Sequence, residues 1–138
     1  MADDTSDPAF RLRLRVYWED TDAGGVVFYA NYLKFFERAR TEWLRSLGVQ
    51  QQALRDGTGA IFVVSQTQLS YLRPARLDDE LDVSVELHGA GRVAFDLFQQ
   101  AWRGTELLTE GSIRIACVDA ASFRPRRIPS VVLERLAA

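Results

Sequence analysis

One cysteine, one histidine and one lysine are all that the 138 residues hold of three types that carry much protein chemistry. With Cys117 alone, an intrachain disulfide, a CxxC motif and a cysteine metal cluster are excluded. His88 stands before Gly89-Ala90-Gly91 and reads as a solvated turn residue. A hydrolase built on a Ser-His or Cys-His pair would have to use it. A histidine metal site has no second imidazole to share the ion, so no metal site is expected. No apolar run approaches the ~20 residues of a membrane span. The opening Met1-Ala2-Asp3-Asp4-Thr5-Ser6-Asp7-Pro8 has neither the basic nor the apolar region of a secretory leader, and a cytoplasmic protein is expected. The net charge of −2 gives no pull toward nucleic acid or an anionic membrane.

The length is that of one domain, and such a chain buries roughly two-thirds of its unfolded surface without help from metal or disulfide. Residues 1–8 are polar and expected to fray, leaving a single domain over 9–138. Phe10, Leu12, Leu14, Val16 and Trp18 alternate with Arg11, Arg13, Arg15 and Tyr17, which is strand patterning. After a loop from Glu19 to about Ala30 the period changes. Tyr32, Phe35, Phe36, Ala39, Trp43 and Leu47 recur at three- and four-residue steps, one wide apolar face of a helix. Asn31 stands at its N-cap position and Gly48 where a left-handed C-cap falls. Arg38 and Glu42 form an i,i+4 pair on the polar face.

A short helix over Gln50–Arg55 is expected to break at Asp56-Gly57-Thr58-Gly59. Ile61–Tyr71 reads as a long strand with Ile61, Val63, Thr67, Leu69 and Tyr71 on one face. Leu81, Val83, Val85 and Leu87 alternate with polar residues in the next. Strands through Val93–Leu97 and Leu107–Val118 follow, then a terminal helix opened by Pro129. One strand, one long helix and four strands joined by short turns predict an α+β fold: about five antiparallel strands wrapped around the helix. Two edge strands remain, and pairing one with a second subunit is a way to cover it.

The loop holds three carboxylates, Glu19, Asp20 and Asp22, against Gly24-Gly25, immediately before the helix. The segment EDTDAGGVVFYANYLKFFERARTEWLRSLG resembles the signature of the hotdog-fold thioesterases of the 4-hydroxybenzoyl-CoA thioesterase class. Within that class it is most similar to the YbgC-like, Tol-Pal-associated acyl-CoA thioesterases. Further matches are FVVSQTQLSYLRPARLDDEL, GRVAFDLFQQ, and IRIACVD followed by FRPRRIP, so the similarity runs from about Leu12 to Pro129.

The resemblance implies hydrolysis of an acyl-CoA to free acid and CoA. It places the reacting carboxylate on Asp22, as nucleophile or as general base. Such a reaction needs a carboxylate and donors for the developing oxyanion. The family's donor falls on the backbone N–H of Tyr29, at a helix start where free N–H groups and the positive dipole end collect. Gly24, Gly25 and Val26 then form a backbone that a thioester can approach, and Asn31 either orients the loop or caps the helix. Many YbgC-like chains read V-Y-H-A where this one reads Val27-Phe28-Tyr29-Ala30. A tyrosine replaces their histidine, as in the 4-hydroxybenzoyl-CoA enzymes, and Asp22 remains the leading catalytic candidate.

Glu19 and Asp20 read as supporting loop carboxylates, with an arginine as a partner for Asp20. Ser65 resembles a position lining the family's site from across a dimer interface; a satisfied strand hydroxyl is the competing reading. Arg92, Arg126 and Arg127 are the candidates for the phosphates of CoA. No cofactor is expected beyond the coenzyme A of the substrate, and acyl carrier protein is an alternative thiol carrier. A homodimer or homotetramer is expected. Other readings are a hotdog dehydratase, for which the helix region lacks the histidine, and a weakly active binding or scaffold protein of the Tol-Pal envelope system.

Overall fold

Alternation ends sooner than the sequence pattern suggests. In the computed structural model, which describes residues 10–137, β1 covers Phe10–Arg15, with Phe10, Leu12 and Leu14 turned toward the core. The segment 1–8 lies outside the described residues. Val16 is fully buried, and the chain then bends through a 3-10 turn at Trp18–Asp20. The cause is Asp20, whose carboxylate accepts the Tyr17 N–H at 2.8 Å and so pulls the chain out of the strand. Trp18, placed by alternation among the core residues, is 79% exposed.

A second 3-10 turn, Tyr29–Asn31, leads into the long helix α1, Tyr32–Ser46. Its buried stripe is Tyr32, Phe35, Phe36, Ala39, Trp43 and Leu44; Leu47, expected to complete the face, is only half-buried just beyond the helix end, and Leu44 joins the stripe instead. Phe35 and Phe36 are wholly inaccessible, and burying each stabilises the fold by roughly 1.5–3 kcal/mol. Gly48 closes the helix at φ +85°, a conformation that favours glycine. Glu42 meets Arg45 at 3.2 Å rather than Arg38, an exposed pair worth a few tenths of a kcal/mol. The short helix α2, Gln51–Thr58, runs through Gly57 and stops at Gly59, φ +80°, three residues beyond the expected end.

Four more strands follow: β2 (Ala60–Tyr71), β3 (Glu80–Ala90), β4 (Ala94–Arg103) and β5 (Glu106–Asp119), then helix α3 (Ser130–Ala137). They form one antiparallel sheet in the order β1-β3-β4-β5-β2, with α1 packed on one face. This is the hotdog arrangement. Its edges are β1 and β2.

Two irregularities re-aim side chains. On β2 the pairing with β5 slips between Val64 and Gln66, a bulge at Ser65. Phe62 and Val64 therefore pair with buried Cys117 and Ile115, while beyond the bulge Thr67, Leu69 and Tyr71 pair with Ile113, Gly111 and Thr109. Ile61 and Val63 consequently lie on the opposite face from Thr67, Leu69 and Tyr71, correcting the single face that simple alternation predicts. His88 lies at a similar slip inside β3 rather than in a turn. It is bonded to Glu86 at 2.9 Å and stacked on Phe98.

Candidate active site

Asp22 begins a tight hairpin. Its N–H donates to Val26 O at 2.9 Å, its carbonyl accepts the Gly25 N–H at 3.0 Å, and Thr21 bridges Val27. Gly25 adopts φ +80°, closing the turn in a conformation costly for a side-chain-bearing residue. The Asp22 Oδ1 accepts the Gly24 N–H at 2.8 Å, which fixes the rotamer. Its Oδ2 has no partner among the described residues and Asp22 is exposed, so one oxygen is anchored and the other presented.

Asp20 and Asn31 clamp the base of this loop. Asp20 is 4% exposed and Asn31 7%. The Asn31 Nδ2 donates to Asp20 Oδ1 at 2.9 Å, the Tyr17 N–H serves Oδ2, and the Phe28 N–H meets the Asp20 carbonyl at 3.0 Å. Of the two roles open to Asn31, the structure selects loop orientation, for its side chain makes no cap bond to α1. The arginine expected beside Asp20 is replaced by an amide.

A second latch comes from residues 72–79. Ala75 O accepts the Val27 N–H at 2.8 Å, Val26 bridges Arg76, and the buried Tyr32 hydroxyl accepts the Ala75 N–H at 3.3 Å. Burial pushes the Tyr32 phenol above its usual range, against the opposing pull of the Ala75 bond. Arg103 ties the same segment to the sheet through Asp79 (2.7 Å), Glu106 (2.7 Å) and Pro74 O (3.2 Å). Bonds from Arg103 and Arg73 hold Glu106 below the ordinary carboxylate range. Sequence patterning missed the Tyr32 and Arg103 roles. Their only signal was a polar atom on an apolar stripe and an arginine at a turn.

Around Tyr29 the surface is aromatic. Its ring stands edge-on to Tyr71 at 6.0 Å and tilted against Phe28 at 4.9 Å, and Tyr71 also meets Tyr32. Tyr29 is 62% exposed. Its backbone N–H, at the first position of the 3-10 turn, has no acceptor among the described residues. A cavity of about 270 Å³ opens here between Tyr29, Tyr32, Tyr71 and Pro74; Asp22 is not part of its lining.

The remaining candidates lie elsewhere. Ser65 sits at the β2 bulge, exposed, its hydroxyl 3.3 Å from Arg114 O. Arg126 donates to Thr58 O at 2.7 Å and approaches Asp119, and Arg92 O accepts the Ile128 N–H beside Arg127. These three arginines gather at the Ala60 end of β2, whereas Tyr29 packs at its Tyr71 end. Twelve strand residues separate the two ends, roughly 35 Å. Within one chain, the sheet does not bring the arginines to Asp22.

Comparison with known proteins agrees with this architecture. The family model of the thioesterase-like superfamily matches residues 16–136. The chain is 42% identical to the acyl-CoA thioesterase YbgC of Haemophilus influenzae, over 91% of this chain and 93% of that protein. It is 43% identical to the acyl-CoA thioester hydrolase YbgC of Escherichia coli, over 91% and 94% of the two chains. Among solved structures, a probable thioesterase from Bartonella henselae superposes with a TM-score of 0.85 at 33% identity, covering 88% of this chain and 100% of that one.

Proposed function

This chain belongs to the thioesterase-like superfamily and is a hydrolase of acyl-CoA thioesters, and from that premise we propose that Asp22 is its reacting carboxylate. The observation carrying the assignment is the half-anchored carboxyl group, held through Oδ1 by Gly24 and open at Oδ2. Oδ2 attacks the acyl carbon or takes a proton from an attacking water. The carbonyl oxygen, gaining negative charge, is received by the Tyr29 N–H at the positive end of the helix dipole. The thiolate of CoA leaves and takes up a proton. Where Oδ2 has attacked directly, water then hydrolyses the Asp22–acyl anhydride and restores the carboxylate. Where water has attacked, its oxygen is already on the acyl carbon. On either route the acyl group departs as the free acid.

The separation of Asp22 from the arginines supports a site shared between two copies. The β2 edge is exposed, with Val64 48% and Tyr71 46% accessible. Antiparallel pairing of two β2 edges sets the Ala60 end of one beside the Tyr71 end of the other. The basic end of a second copy, with Arg92, Arg126 and Arg127, then faces this Asp22 and meets the phosphates of CoA. Ser65 falls near the centre of that pairing. The working unit is thus a homodimer, alone or doubled into a homotetramer. Among the described residues no helix is long and apolar enough to cross a membrane. A cytoplasmic location, where acyl-CoA substrates are made, belongs to the same proposal.

The test is thiol release from a panel of acyl-CoAs and acyl carrier protein thioesters, comparing wild type with Asp22→Asn. The asparagine oxygen still accepts the Gly24 N–H, so the hairpin survives while turnover falls by about 10²–10⁴-fold. Undiminished turnover in the variant removes Asp22 from the mechanism. A wild type inert on the whole panel favours the binding or scaffold reading.

A further inference from the structure

We infer that the Asp79–Arg103 ion pair is a positioning device for the Asp22 carboxylate, reaching it along a line of hydrogen-bonded peptide units. The role rests on the reading of Asp22 as the reacting group. The line starts at the Asp22 N–H, which donates to Val26 O at 2.9 Å. That carbonyl shares its peptide unit with the Val27 N–H, which donates to Ala75 O at 2.8 Å. The Ala75 carbonyl in turn shares its unit with the Arg76 N–H, which donates to Asp79 Oδ2 at 2.8 Å. The same Oδ2 accepts Arg103 Nη1 at 2.7 Å. A peptide unit is planar and stiff, so fixing one end of it aims the other. Each unit here is gripped at both ends, and hydrogen bonds in series polarise one another.

Arg103 is built to be the fixed end. It closes β4, and its Nε and Nη2 both donate to Glu106 Oε1, at 3.1 and 2.7 Å, across the turn into β5. Nη1 is left to face residues 74–79, where it meets Asp79 and also Pro74 O at 3.2 Å. Pro74 O belongs to the peptide unit whose other end, the Ala75 N–H, is held by the Tyr32 hydroxyl of α1 at 3.3 Å. Two successive units are thus pinned to Arg103, one directly and one through Asp79. Ala75, between them, is fully buried. The Asp79 and Arg103 side chains keep 23% and 30% of their surface exposed. An ion pair with that much solvent contact contributes little to global stability. Its place is what matters, at the acceptor end of a line that begins on the Asp22 backbone. With the Asp22 rotamer fixed by the Gly24 N–H, the position of that backbone decides where Oδ2 points.

Asp79→Ala and Arg103→Met cut the line at its anchored end, and two measurements follow them. In thiol release, each should lower kcat by about 10–10²-fold, the loss expected when a reacting group is slightly misplaced, with KM within about twofold of wild type. The double variant should lose no more than the worse single one, since both remove one device. Added to Asp22→Asn, Asp79→Ala should lower turnover no further. In hydrogen exchange, the Asp22 and Val27 amides should exchange at least about tenfold faster, while the Ala39 and Trp43 amides of α1 keep their wild-type rates. Wild-type kcat in both folded variants, with Asp22→Asn impaired, would overturn the inference and leave the Asp22 reading standing. So would unchanged Asp22 exchange, or acceleration spread evenly over α1 and the sheet. Full turnover in Asp22→Asn removes that reading, and this role falls with it. Should either variant fail to fold, Arg103→Lys takes its place. One ammonium cannot span Glu106, Asp79 and Pro74 O, so it should still lower kcat and hasten Asp22 exchange.

Discussion

Replacing Asn31 with alanine strips the one side-chain donor from a carboxylate that is 4% exposed and leaves it only the Tyr17 backbone N–H. The removed bond is short, at 2.9 Å, and one partner is charged. A bond of that kind contributes about 1.5–3 kcal/mol, and a buried acceptor left unmade costs its desolvation in addition. We expect Asn31→Ala to lose about 2–3 kcal/mol, roughly 8–12 °C of Tm for a domain of this size. Asp20→Asn should cost as much, because the amide has a single acceptor oxygen for the two donors that now serve it. The double variant should cost clearly less than the sum, with a coupling of at least about 1 kcal/mol. Urea denaturation of the four proteins measures this directly. The same clamp anchors the Asp22 hairpin, so Asn31→Ala should depress kcat more than KM in the thiol-release assay. Additive stability losses, or kcat unchanged in a destabilised but folded variant, would refute the clamp as a device that positions Asp22.

Tyr29→Phe should keep hydrolysis within about threefold of wild type, since the oxyanion donor assigned is a backbone group; a much larger loss, read from the same assay, would hand that work to the phenol. Gly111 pairs with Leu69 and Gln99, and a Cβ there would run into Gln68 O and the Leu69 side chain. Gly111→Ala should therefore destabilise by about 1–3 kcal/mol and loosen β2, visible as faster amide exchange along that edge. The Ser122 and Ala121 N–H groups hold Asp119 below the usual carboxylate range. That contribution is complete above about pH 4 and is lost as pH falls through the depressed folded value, so Asp119→Asn should flatten the acid limb of the stability curve. Burial pushes the Cys117 thiol up. Cys117 should resist a chromogenic disulfide reagent in native protein and react on unfolding.

The α1 stripe was legible because six apolar residues at three- and four-residue steps suit a helix and no strand, and Gly48 marked its end. The β3 strand was equally plain, with Leu81, Val83 and Val85 all buried. What escaped the sequence was whatever depends on contacts distant along the chain. A bulge carries no residue signature, so nothing about Ser65 announced that Ile61 and Val63 would face away from Thr67. Asp20 looked like one loop acid among three. Its distinction is a partner eleven residues on, brought close only when the loop folds back. The three arginines were placed by the order of matching segments, and order does not tell which end of a sheet a segment reaches. The Asp22 hairpin stands between these cases: Asp-x-Gly-Gly announces a turn, but the freedom of a single carboxylate oxygen appears only in three dimensions.

The two edges of the sheet are built differently, and that difference bears on behaviour at high concentration. The β1 edge is six residues long and studded with Arg11, Arg13 and Arg15, two of them engaged with acids on β3. The β2 edge is twice that length, kinked at Ser65 and partly apolar. A chain with two sticky edges would add copies without limit, strand upon strand, toward a fibre. Here only the β2 edge is open in this way, and in the proposed dimer the second copy would present its arginine-bearing β1 edge outward. If copies pair as proposed, self-association through the sheet would stop at a pair, so that a long exposed strand would not lead to unlimited assembly in a crowded solution.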